Sequence, residues 1–215
     1  MKTGFILKVL MTTLLLTGGL SSHLQAMPQL NFDVDSSGSS VDGSGLSLCS
    51  GCSANLNLTP SLDSEIFSLT EGSSYTFDFF DVAIYGPRSG FGAIGGIVSA
   101  SLGFSQPEPV AASGTGLGGA IWGYDFIFTF DWFGAGGLTF GSAGQPSNIL
   151  LSNGSIFGVE FSAVGDSCGS RGCSLYQTVK ATVTAHKVVD VPEPGSLALI
   201  CLGLAALIFS RRRIL

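Results

Sequence analysis

Between about Met27 and Asp190, apolar side chains recur at every second residue in five separate runs. Tyr75, Phe77 and Phe79 alternate with Thr76 and Asp78, and Val98, Ala100, Leu102 and Phe104 with Ser99, Ser101 and Gly103. Trp122, Tyr124, Phe126, Phe128 and Phe130 form the longest run. Phe157, Val159 and Phe161 make a short one, and Val179, Ala181, Val183 and Ala185 the last. A period of two puts successive side chains on opposite faces of a strand, so each run reads as a half-buried β-strand. Gly86-Pro87, the glycine clusters at 92–96, 114–119 and 134–137, and Asn153-Gly154 fall between the runs and read as turns. Residues 36–53 are rich in Ser and Gly and read as a loop or weakly ordered arm. No helical period appears between the two ends of the chain. Seven to nine short strands with this punctuation predict an all-β fold, an antiparallel β-sandwich or jelly roll.

The two ends follow different patterns. Lys2 and Lys8 precede an apolar run over 9–16, and small and polar residues lead to Leu24-Gln25-Ala26. That order is a secretory signal peptide over 1–26, with Ala26 before the cut. At the other end, Val191-Pro192-Glu193-Pro194-Gly195-Ser196 precedes an apolar run over 197–209 and then Arg211, Arg212 and Arg213. As a helix this run reaches roughly 20–22 Å, short of the span about 20 residues give, which suits a transient anchor. The arginines stay cytoplasmic by the positive-inside rule, which places the rest of the chain across the membrane, as the signal peptide does. The chain therefore divides into a signal peptide (1–26), an exported ectodomain (27–190) and a C-terminal tail with one short transmembrane helix (191–215).

With both ends set aside, roughly 160 residues remain, enough for one sizeable core. The ectodomain carries four cations, Arg88, Arg171, Lys180 and Lys187, against fourteen acids. A surface about ten charges negative repels phosphate and lacks the basic groups that displace counterions, which excludes nucleic acid as a partner.

Val-Pro-Glu-Pro, a short apolar helix and a terminal basic cluster together resemble the PEP-CTERM sorting signal, also called the ice-binding-protein C-terminal motif. Pro192, Glu193 and Pro194 match its motif, and Arg211, Arg212 and Arg213 its tail. The resemblance covers about residues 190–213. It implies a Gram-negative bacterium that makes exopolysaccharide, and processing near the motif by an exosortase, a membrane transpeptidase-like enzyme. It further implies the inner membrane as a station before processing, then the cell surface or medium, and extracellular polysaccharide as a candidate partner in a biofilm matrix. The β-rich middle is similar to other PEP-CTERM ectodomains, chiefly in the Tyr75–Tyr85 strand and the glycine-rich loops.

Four cysteines lie in the exported part, Cys49, Cys52, Cys168 and Cys173, while Cys201 lies in the membrane segment. An oxidising compartment favours disulfides, and four cysteines allow three connectivities. Cys168 and Cys173 read as a bridge closing a hairpin tip, and Cys49 and Cys52 as a tight local loop. Cross-linked pairs and a four-cysteine zinc site are the rival readings. Gly165-Asp166-Ser167-Cys168-Gly169 has serine-hydrolase spacing, but the ectodomain's one histidine is His186 and none lies upstream where a trypsin-like triad needs it. No enzyme activity and no cofactor is expected. Asp33, Asp35 and Ser37 before Gly38 resemble half a calcium loop, with Ser44 where the bidentate Glu belongs and Asp42 nearby as a substitute. The aromatic row from Trp122 reads as core rather than as a sugar-stacking platform. The rival to a matrix protein is an extracellular carbohydrate-binding module, which needs exposed aromatics.

Overall fold

A computed structural model describes residues 27–87, 91–124, 132–142, 144–146, 148–170 and 173–189. The signal peptide (1–26), the aromatic row over 125–131 and the sorting segment with Pro192, Glu193, Pro194, Arg211, Arg212 and Arg213 lie outside them. Among the described residues eleven strands run in chain order: β1 (Gln29–Ser47), β2 (Ser53–Leu58), β3 (Ile66–Thr70), β4 (Ser74–Tyr85), β5 (Gly92–Gln106), β6 (Val110–Tyr124), β7 (Trp132–Thr139), β8 (Ile149–Leu150), β9 (Ile156–Phe161), β10 (Val164–Cys168) and β11 (Ser174–Lys187). A 3-10 turn, Leu62–Ser64, accompanies them. Among the described residues no helix is long and apolar enough to cross a membrane.

All the pairings are antiparallel and make two sheets. One has the order β10-β7-β6-β5-β1-β3, the other β2-β4-β11-β9-β8. They face each other across one hydrophobic core. The alternating runs build it: Val98, Ala100, Leu102 and Phe104 from β5 meet Phe157, Val159 and Phe161 from β9 and Val179, Ala181, Val183 and Ala185 from β11, all buried. Phe32 of β1 touches both layers, with its ring 5.1 Å from Phe67, 5.7 Å from Phe104 and 5.1 Å from Phe157. In β4 the alternation slips: Phe79 and Phe80 are both buried, because a bulge lies opposite Val179–Lys180 and turns two neighbours to the same side. Tyr75, at the strand's start, is exposed and donates its hydroxyl to Glu65.

Eleven strands form where seven to nine were expected, and two segments differ from their expected roles. The first is residues 36–53, which are not an arm: β1 runs on to Ser47, pairing Ser40, Val41 and Asp42 with Ser101, Ala100 and Ser99, and Gly45, Leu46 and Ser47 with Ile97, Gly96 and Gly95. Serines make this possible by satisfying backbone where the ladder is interrupted. Across the bulge between Asp35 and Ser40, the Ser39 hydroxyl donates to the Asp35 carbonyl at 2.7 Å and accepts from the Gly103 N–H at 2.9 Å. The second is the glycine clusters at 92–96, 114–119 and 134–137, which lie inside β5, β6 and β7, not between strands. Several of these glycines make room for neighbours. A side chain at Gly134 would collide with the Trp122 indole at 2.5 Å, and one at Gly116 with Leu138 and Phe140. Asn153-Gly154 does turn the chain, between β8 and β9, with Gly154 at φ 84° and the Asn153 Oδ1 accepting from Ser155 N–H.

Candidate functional site

The four ectodomain cysteines form two local disulfides, Cys49–Cys52 and Cys168–Cys173. Their Cα atoms are 5.2 and 6.2 Å apart, inside the range a bridge accepts. No thiolate is left among them to hold zinc. Gly51, at φ 79°, supplies the left-handed corner that lets a four-residue loop close, and the Cys52 N–H bonds back to the Cys49 carbonyl. The second bridge does not close a hairpin tip. β10 belongs to the six-stranded sheet and β11 to the five-stranded one, so the bridge clips a crossing between layers. The first bridge does the same between β1 and β2. Both crossings enter the second sheet opposite one residue: Ser53 and Ser174 each pair with Tyr85.

Trp122 fills the space between the clips. It pairs with Gly92 and Gly134, is 3% exposed, and lies over Gly86 as well as Gly134. A side chain at Gly92 would meet the Cys49 sulfur, and one at Gly134 the Cys168 sulfur. Its Nε1–H has no partner among the described residues. The reading of Trp122 as core therefore holds, and this ring offers no platform to a sugar; the side chains of Tyr124, Trp132 and Phe133 lie outside the described part. Non-reducing peptide mapping should recover 49–52 and 168–173 as the linked pairs. A link from either N-terminal cysteine to Cys168 or Cys173 would contradict the structure. Loops this short remove little chain entropy, so reduction should cost about 2 kcal/mol per bridge and leave the β signal in circular dichroism intact.

Asp33, Asp35 and Ser37 are engaged with other groups of the chain. The Asp33 Oδ2 accepts from the Ser105 hydroxyl at 2.8 Å. The Asp35 Oδ1 accepts from both the N–H and the hydroxyl of Ser37, at 2.9 and 2.6 Å. Asp42, on the far side of the bulge, is held likewise by Ser44. Among the described residues no three His, Cys, Asp or Glu side chains are grouped to hold a metal ion.

These bonds have a consequence for pH. The Ser37 hydroxyl, then the Gly38 and Ser37 N–H groups, hold the Asp35 carboxyl below its ordinary 3.8. The Ser44 N–H, then its hydroxyl, do the same for Asp42. A folded-state value below the unfolded one means a contribution that is complete above about pH 4 and is lost as pH falls through the lowered values. The thermal midpoint should therefore fall as the pH is taken below about 4. The Asp35→Asn, Asp42→Asn double variant should show a shallower drop; an identical profile would sink the assignment.

Ser167 and His186 are far apart. Asp166, beside Ser167, accepts from the Tyr176 N–H near the start of β11, whereas His186 lies ten residues further along that strand. At about 3.3 Å per residue this is roughly 33 Å, so the pair makes no nucleophile–base contact.

One hydroxyl-lined groove among the described residues is a feature that sequence reasoning missed. It is a shallow groove of about 360 Å³ on the outer face of the six-stranded sheet, lined by Ser40, Asp42, Ser99, Ser101, Ser113 and Thr115. Ser101 and Ser113 bond each other across β5 and β6 at 2.9 Å. The register signals it: outward positions of three adjacent strands all carry hydroxyls or a carboxylate. That register was invisible while β1 was read as an arm.

The PEP-CTERM protein-sorting motif matches residues 190–213. No curated protein matches the chain. No solved structure matches it.

Proposed function

We propose that this chain, which carries the PEP-CTERM sorting motif and is thereby an exosortase-targeted exported surface protein, serves as a non-enzymatic structural or interaction component of an exopolysaccharide or biofilm matrix. The motif at residues 190–213 is the observation that carries the reading. In this scheme the signal peptide at 1–26 starts export, the tail at 191–215 holds the chain briefly in the inner membrane, and processing near Pro192–Pro194 sends the β-rich body to the surface or medium.

Three features support a matrix role over an enzyme. The candidate nucleophile Ser167 stands far from His186. Two disulfides suit a chain that works outside the cell. The outer sheet face presents hydroxyls and aliphatic groups rather than a converging acid–base set. The direct test is fractionation of producing cells. The protein should partition with extracted exopolysaccharide and leave the matrix fraction when polysaccharide synthesis is abolished. Equal recovery from cells with and without the polymer would refute the matrix assignment. Micromolar binding to one defined oligosaccharide on a glycan array would replace it with the carbohydrate-binding-module reading.

A further inference from the structure

The outer face of the six-stranded sheet carries a row of glycines at right angles to its strands. Gly95 pairs with Gly119, Gly119 with Gly137, and Gly137 with Gly165, so the row crosses β5, β6, β7 and β10. It forms a trench floored by backbone; a Cβ added at Gly95 would meet nothing within 4 Å. One step along the strands stands a ridge, Ile97 paired with Leu117, 51% and 68% exposed. One step the other way stands Ile121, 55% exposed, beside Ala93. Two steps beyond the trench, past the ridge, lie Ser99 and Thr115.

Large and small positions thus repeat along each strand with a spacing that fits itself. Consider a two-fold axis in the plane of contact, midway between the glycine row and the Ile97–Leu117 row. It places Leu117 of one copy over Gly119 of the other and Ile97 over Gly95. It also sets Ile121 against Thr115 and Ala93 against Ser99. Every protruding side chain meets a short one, and each contact occurs twice, as an isologous interface requires.

Charge and area favour the same partner. No Asp, Glu, Lys or Arg lies on these positions of β5 and β6, whereas the chain as a whole has a formal charge of -6. Asp42 of β1 stands beside Ser99 at the edge of this face, and the two-fold sets it about 20 Å along the strands from its own copy, so two acidic chains can meet here without like-charge contact. Five strands about 4.8 Å apart and eight residues of about 3.3 Å give a face of about 600 Å² per copy. The pair would bury about 1,200 Å², the lower end of specific stable interfaces. We propose that this face docks a second copy of the same chain, ridge into trench.

The test is sedimentation equilibrium of the full chain in a density-matched nonionic detergent. The wild type should be dimeric at micromolar concentration. Gly95→Val fills the trench while adding apolar surface, so it should raise the dimer dissociation constant at least about tenfold. Leu117→Ser removes the ridge at an exposed position and should do the same, with thermal melting unchanged to show that the fold is kept. A wild type that stays monomeric at about 100 µM would overturn the proposal. Gly95→Val associating as tightly as wild type would also overturn it, because general stickiness would then explain the contact. Should Gly95→Val fail to fold, an unaltered dimer in Leu117→Ser overturns the proposal equally.

Discussion

Replacing Pro192, Glu193 and Pro194 together by alanine should convert a processed protein into an uncut one held in the membrane fraction. Proline restricts the backbone at its own position and at the residue before it, which makes this tripeptide a distinctive recognition element. Alanine removes that constraint, and the Glu193 change removes the charge within the motif. Export itself should continue, since Lys2, Lys8 and the apolar run at 9–16 are untouched. The two forms differ by the apolar tail and its arginines, so mass spectrometry of the membrane and released fractions separates them. Release of the triple variant at wild-type mass would show that the motif match at 190–213 does not direct processing.

Truncating Phe32 should be the most damaging single change in the β body. The side chain is 0% exposed, and its ring meets Phe67 and Phe104 in one layer and Phe157 in the other. Phe32→Ala loses the transfer free energy of the ring and leaves a cavity that both sheets must line, at a cost of about 3–5 kcal/mol. Against a typical domain stability of about 5–15 kcal/mol, this brings the fold near its limit. The expected readout is a lower urea midpoint with an unchanged slope. Ile66→Ala, only a short way along the chain at an exposed position of β3, should change stability by less than about 0.5 kcal/mol. Equal losses in the two variants would mean that Phe32 does not join the layers.

The core strands were legible because their burial is one-sided. In β5, β9 and β11 the apolar side chains recur at every second residue over the runs read from the sequence, and each predicted inward residue from Val98 to Phe104, Phe157 to Phe161 and Val179 to Ala185 is buried. β1 beyond Asp35 was not legible, because its pairing rests on serine hydroxyls and close backbone approach rather than on an apolar face. At Gly45 an added Cβ would lie 2.6 Å from the Ile97 carbonyl, so glycine there is a condition of strand contact, although composition marks it as loop. The same error hid the strands that carry the glycine row, and with them the outer face. The cysteine pairs were correctly read as local, but which layers they join depends on long-range pairing that no spacing encodes. The sorting motif needed no fold at all, since it is read as a linear segment.

The last strand has a mechanical meaning. β11 lies inside its sheet, in register with β4 over eleven residue pairs and with β9 over six. The chain leaves it through Val188 and Val189, whose N–H groups bond to Glu71 and Ser155. Any drag on a body tethered by its C-terminal tail therefore pulls β11 lengthwise between two neighbours. The perpendicular bonds of an antiparallel ladder then bear the load in shear, many at once, instead of opening one after another from an edge. A protein held to a membrane from that end can resist flow or a moving polymer without unravelling from its point of attachment.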